Sequence, residues 1–177
     1  LVRLGTVWEE RLDEKDEAIA TYRRARAIRP REPRVLRALA RLLDAKASPD
    51  ELFAVLQSLA EKAEPQELKE IYPRLAQLAS EHFGDRPQSV ELWKRLVEIE
   101  PTNALANSEL DRLYELDEKW TDLVALLERQ LKAAKDEREV SRVSRRLALI
   151  RGTKLGNVDD AIESWTGILR KNPSDVE

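Results

Sequence analysis

The sequence has 177 residues, of which 42% are hydrophobic and 37% are charged, and its net charge is −3. With no cysteine and one histidine it lacks the ligands of a disulfide framework or of the usual zinc sites, so we predict no metal and no cofactor. No run approaches the roughly 20 apolar residues that cross a bilayer. Leu and Ala dominate the apolar residues, which predicts an all-α fold because unbranched side chains favour helix over strand.

An internal repeat with a period of 71 to 72 residues runs along the chain. Segments 12–30, 83–101 and 155–173 superimpose, and two further hairpins fit between them, which brings the spacing to roughly 35 residues, the size of a two-helix unit in repeat arrays. Each copy carries a small residue after an upstream leucine, which predicts close helix packing there. The aligned positions are Leu4, Leu75 and Leu147; Gly5, Ala76 and Ala148; Ile19, Val90 and Ile162; and Tyr22, Trp93 and Trp165.

In chain order, the pattern predicts five helix-turn-helix hairpins in one array that spans 1–177. Their expected ranges are 1–30, 33–64, 65–101, 103–135 and 136–173. The run from Ser48 to Glu51 predicts the start of a helix, with Pro49 in its first position and Glu51 reaching back to the N–H of Ser48.

Other start and stop signals fall between these hairpins. Asp13, Asp117 and Asn157 are predicted N-caps of second helices, and Pro33 and Pro65 are predicted to open first helices. Pro73 lies inside a periodic run, where it predicts a kink. A capping box at 174–177 and the absence of methionine lead us to expect that the chain is part of a longer protein.

These residues resemble the tetratricopeptide repeat family. In the first hairpin the residues that carry the resemblance are Leu4, Gly5, Trp8, Ala18, Tyr22, Ala25 and Pro30. In the fourth, Asp111 replaces the small residue of the pattern. The resemblance implies a right-handed α-α superhelix (solenoid) of about five hairpins, with a concave groove lined by the first helices. It also implies that Trp93 and Trp165 are buried core aromatics.

The resemblance implies a set of partner-binding positions in the groove. Arg34, Arg37 and Arg41 lie at i, i+3 and i+7 and therefore share one helix face. Such a face suggests an acidic partner segment; the alternative is a solvated face whose guanidiniums pair with carboxylates nearby. The full set is Arg34, Arg37, Arg41, Gln77, Ser108, Arg112, Arg142 and Arg145.

The function implied is a protein-protein interaction scaffold or adaptor rather than an enzyme. No nucleophile with a base, metal cluster or phosphate-binding glycine loop is recognisable, and His82 reads as a surface or capping residue. The alternatives are a structural spacer or self-association module and, with less support, nucleic-acid binding, since 21–46 is basic but the pI is near 5.5. We predict a cytoplasmic location.

Overall fold

The computed structural model describes residues 1–45, 48–157, 159, 161, 162 and 165–167. Among these residues the regular elements are all helices and no strand occurs, which confirms the all-α fold. The chain divides into two compact units, Leu1–Leu92 and Trp93–Glu177. The α-helices are α1 Val2–Glu10, α2 Lys15–Ile28, α3 Pro33–Ala45, α4 Pro49–Ala60, α5 Pro65–Gln77, α6 Arg86–Ile99, α7 Ala104–Leu116, α8 Trp120–Ala133 and α9 Glu137–Thr153. A short π-helix, Leu78–His82, follows α5 directly.

In the first unit, helices that follow one another in sequence pack against one another: α1 on α2, α2 on α3, α3 on α4 and α4 on α5. The spacing of apolar residues explains why, since α3 buries Val35, Leu36, Leu39, Leu42 and Leu43 on one broad face. A helix with so wide an apolar face needs a neighbour on each side. Stacking of consecutive hairpins provides both neighbours.

The second unit repeats this arrangement, with α7 packed on α8 and α8 on α9. Its core is again mainly leucine: Leu110 and Leu113 from α7, Leu123 and Leu127 from α8, and Leu147 from α9 are all buried. The helical hairpin predicted from the sequence is therefore the building unit of both halves.

The start of α4 differs in detail from the prediction. The helix begins at Pro49 with Ser48 as its N-cap residue, but the Ser48 side chain makes no capping hydrogen bond. Glu51 instead accepts hydrogen bonds from Arg23 of α2 at 2.9 and 3.1 Å, and these bonds lower the pKa of Glu51. A guanidinium offers Glu51 charge-assisted hydrogen bonds, which are stronger than a bond to a backbone N–H.

Two of the predicted caps are wrong. Pro33 and Pro65 open α3 and α5 as predicted, but Asp13 has a positive φ of 51° and Asp117 is the residue that ends α7. The helices α2 and α8 begin after these residues, at 15 and 120. The helix expected after Asn157 lies partly outside the described residues, as do 174–177.

The aromatic positions of the repeat are buried in two of its three copies. Tyr22 and Trp93 are fully buried, as are Ile19 and Val90. In the third copy Trp165 is only half-buried and Ile162 is 58% exposed. Ala161 of the same segment is buried.

Three turns share one backbone geometry that follows the 71- to 72-residue period. Asp13, Gly84 and Gly156 have φ values of 51°, 65° and 65°, in the left-handed region. At each turn the N–H of the next residue donates to the carbonyl six residues before it, at 2.8 Å. A left-handed residue just after a helix is a common way for a helix to end, and here it recurs after three first helices.

These turns predict opposite effects for two substitutions. Gly84→Ala should reduce the free energy of unfolding by about 1 kcal/mol, because L-residues are strained at positive φ. No atom lies within 4 Å of a Cβ added there, so the cost would come from the backbone alone. Asp13→Gly should cost nothing or stabilise the protein, since it relieves the same strain. Urea unfolding of both variants measures the difference, and equal losses for both would contradict it.

Candidate partner-binding site

The three arginines of α3 lie exposed along one face of that helix. Arg37 donates two hydrogen bonds to the carboxylate of Glu67, from Nε at 2.6 Å and from Nη2 at 2.9 Å. Arg41 Nη2 lies 2.6 Å from Glu9 Oε1. Arg34 makes no ion pair with any residue that the structure describes. Of the three guanidiniums, the one on Arg34 is therefore the most available to a ligand.

The two ion pairs connect first helices of neighbouring hairpins. Glu67 belongs to α5 and Glu9 to α1, so α3 is held on both sides. Hydrogen bonds from Arg37 hold the pKa of Glu67 below its usual range. Arg37 is more than half exposed, and exposed pairs of this kind typically contribute only about 0–1 kcal/mol to stability. Their main consequence is that a carboxylate of a ligand would have to compete with Glu67 and Glu9.

A further ion pair, not predicted from the sequence, occurs at the same repeat position in both units. Arg74 of α5 pairs with Asp44 of α3 in the first unit. In the second, Arg146 of α9 lies 2.7 Å from Glu115 of α7. The internal period relates Arg74 to Arg146 and Asp44 to Glu115. Positions related by the period can therefore be compared between the units residue by residue.

The second unit contains a pocket of about 240 Å³ between α7 and α9. Its walls include two of the predicted partner-binding residues, Ser108 of α7 and Arg142 of α9, both exposed. Asp111 and Arg146 lie deeper, and Glu139 of α9 also lines the pocket. The pocket is closed by residues 133 and 134 at the end of α8 and by 101 and 102 before α7.

Asp111 occupies the position at which other hairpins carry a small residue. Its carboxylate lies 2.5 Å from Arg146 Nη1, and that guanidinium also reaches Glu115. Burial raises the pKa of Asp111, while the hydrogen bond and charge of Arg146 oppose the rise. The departure from the repeat pattern thus places a desolvated carboxylate and its arginine partner in the wall of the pocket.

The remaining predicted residues do not line this pocket. Arg112 donates to Glu109 one turn earlier on α7, at 2.8 Å from Nη2. Arg145 is half-buried on α9. In the first unit, Gln77 is half-buried at the end of α5, where its carbonyl accepts a hydrogen bond from Ser80. The pocket itself was not predicted, because Asp111 and Arg146 were not recognised as partners.

Part of the chain matches a known family of repeat proteins. A sequence profile described as a tetratricopeptide repeat matches residues 106–141, which run from α7 through α8 into α9. For this segment the match confirms the resemblance to the tetratricopeptide repeat family. Tetratricopeptide-repeat proteins are protein-interaction scaffolds. No curated protein matches the sequence.

Solved structures show the same fold. A structure of Naa15/Naa10 bound to HypK-THB superimposes with a TM-score of 0.64 at 15% identity, over 99% of this chain and 25% of that one. YrrB, a TPR protein with an unusual peptide-binding site, gives 0.56 at 10% identity over 98% and 86% of the two chains. The MamA protein gives 0.53 at 16% identity over 96% and 88%. At these identities the likeness shows the α-helical solenoid fold and nothing finer.

The described residues offer neither a membrane-spanning helix nor a metal site. None of their helices is long and apolar enough to cross a membrane. They also contain no group of three or more His, Asp and Glu side chains placed to hold a metal ion.

Proposed function

We propose that this tetratricopeptide-repeat chain is a scaffold that binds a segment of another protein on the faces of its first helices. The observation that carries the proposal is the pocket between α7 and α9, because it lies on two first helices and includes Ser108 and Arg142. Protein segments are typically anchored by a few side chains inserted into such pockets. YrrB, which has the same fold, is a peptide-binding TPR protein and adds support by analogy.

We further propose that the partner segment carries acidic residues. Arg34 in the first unit and Arg142 in the second are exposed arginines that make no ion pair with described residues. Arginine binds carboxylates through two parallel hydrogen bonds, and an arginine that has no carboxylate of its own has none to displace. Arg37 and Arg41 are weaker candidates for binding an acidic partner, because each already pairs with a carboxylate, that of Glu67 or Glu9.

Capture of partners from a lysate of the source organism tests this proposal. Arg34→Glu and Arg142→Glu should each reduce capture of the same protein by about tenfold, the effect of losing a charged hydrogen bond. Arg24→Glu is the matched control, because Arg24 is an exposed arginine on the second helix α2. A protein lost in both variants and retained by the control supports the proposal.

Other outcomes favour the alternatives. If no variant changes the captured set, the arginines form a solvated face; if no protein is captured, the chain acts as a structural spacer or self-association module. Steep loss of binding between low and moderate salt would favour nucleic acid. The cytoplasmic location and the absence of catalysis remain predictions.

A further inference from the structure

The internal repeat gives the pocket in the second unit a counterpart in the first unit. Ser108 of α7 occupies the repeat position of Arg37 in α3, and Glu139 of α9 that of Glu67 in α5. In the first unit these positions form the two-bond ion pair between Arg37 and Glu67. In the second unit the glutamate is present but a serine stands in place of its arginine partner.

The consequence is that no cation among the described residues pairs with the carboxylate of Glu139. It is exposed and makes no ion pair with the residues that the structure describes. Both Ser108 and Glu139 line the pocket of about 240 Å³. That volume is below the roughly 300–1,000 Å³ of sites for drug-sized ligands, so it suits one inserted side chain better than a cofactor.

The wall of the pocket is rich in acceptor atoms. The side-chain amide of Asn107 donates to the carbonyls of Pro101 and Asn103, both at 2.9 Å, which fixes its orientation. Its Oδ1 is buried and accepts no hydrogen bond, and the same is true of Asp111 Oδ1. Buried oxygens without donors give the wall a negative potential, which favours a ligand with several N–H groups over a carboxylate.

The charges around the pocket also favour a cationic ligand. Two carboxylates, those of Asp111 and Glu139, and two guanidiniums, those of Arg142 and Arg146, line the pocket, and a third carboxylate, that of Glu115, lies outside the lining but pairs with Arg146. Arg146 is shared by Asp111 and Glu115, and Arg142 is exposed at the mouth. A third guanidinium would balance the third carboxylate.

We infer that this pocket binds an arginine side chain of the partner segment. Its guanidinium would donate two hydrogen bonds to Glu139, as the guanidinium of Arg37 does to Glu67. The inference rests on the proposed function in that the partner presents the arginine. Arginine fits better than lysine because the pair in the first unit uses two parallel N–H donors, which an ammonium cannot match. The partner segment would then carry a basic anchor for the second unit besides its acidic residues.

The test uses a small probe, Nα-acetyl-arginine amide, titrated into the ¹⁵N-labelled chain and followed by NMR. It should shift the amide signals of α7 and α9 around the pocket and reach saturation. Nα-acetyl-citrulline amide, which has nearly the same shape without charge, should bind about tenfold more weakly because a charge-assisted bond is lost. Glu139→Gln should weaken the arginine probe similarly, and Glu137→Gln, an exposed acid on the same helix, should not.

A second variant fills the pocket from within the chain. Ser108→Arg copies the first unit, so its arginine should pair with Glu139 and prevent binding of the probe. Circular dichroism confirms that the variant is folded, and Glu139→Gln tests the inference independently if it is not. Equal binding of the arginine and citrulline probes, or binding unaffected by Glu139→Gln, would overturn the inference.

The outcome is separable from that of the proposed function. If the arginine probe does not bind but Arg34→Glu still loses a captured protein, the arginine inference fails and the scaffold function stands. If the probe binds the pocket but no protein is captured, the arginine site stands and the scaffold function fails.

Discussion

Trp93→Ala is expected to reduce the free energy of unfolding by about 3–5 kcal/mol, the largest effect of any single substitution we predict. Trp93 lies in α6 and is 1% exposed, and among the described residues it is the largest side chain that is fully buried. Its removal would leave a cavity that the surrounding helices can fill only in part. Urea unfolding followed by circular dichroism measures the loss, because the remaining tryptophans make fluorescence difficult to interpret.

Two controls separate burial from other roles of Trp93. Trp93→Tyr should cost less than the alanine variant, since tyrosine occupies the same repeat position at Tyr22 and is also buried. Trp120→Ala should also cost less, because Trp120 is half-buried and its ring faces the ammonium of Lys154 at 4.8 Å. A loss at Trp120 as large as that at Trp93 would refute the assignment of Trp93 to the core.

The fold follows from features that the sequence displays directly. Leucines at helical spacing predict both the helices and the faces they bury, as in α3. The prolines at 33 and 65 mark two helix starts, because proline needs no N–H partner there. The turn geometry was harder to predict. Asp13 fits an N-cap by residue type, because aspartate favours both N-caps and left-handed turn positions, and only alignment with Gly84 and Gly156 distinguishes the two roles.

The candidate site could be predicted only in part. Helical spacing places Arg34, Arg37 and Arg41 on one face, but it does not show that carboxylates of α1 and α5 neutralise two of them. Such partners lie some 30 residues away in sequence and meet only when hairpins stack. Glu51 shows the same limit, because its local role as a capping residue gives way to Arg23 of another hairpin.

The two units show how a repeat can differ in surface chemistry without changing its fold. Where the first unit closes the contact between α3 and α5 with an ion pair, the second has Ser108 and an open pocket. Asp111, in the slot of a small residue, adds a desolvated carboxylate to the same place. The residues that depart from the repeat therefore coincide with the best candidate for binding, which is expected if function is carried by sites on a shared scaffold.

Gly5→Ala is expected to reduce the free energy of unfolding by about 1–3 kcal/mol, although alanine is normally the better helix former. A Cβ at this position would lie 2.6 to 2.9 Å from three ring atoms of Tyr22. The ring has little room to retreat, because it is 3% exposed and its hydroxyl donates to Glu9 at 3.4 Å. Urea unfolding of the variant measures the loss.

The double variant Gly5→Ala with Tyr22→Leu identifies the cause, because removal of the ring should abolish most of the penalty for alanine. The two substitutions should therefore cost less together than the sum of their separate effects, as expected for residues in direct contact. Alanine is compatible with the repeat itself, since Ala76 and Ala148 are buried at the equivalent positions. A Gly5→Ala variant as stable as the parent would mean that α1 and α2 can separate slightly, and that glycine does not limit their approach.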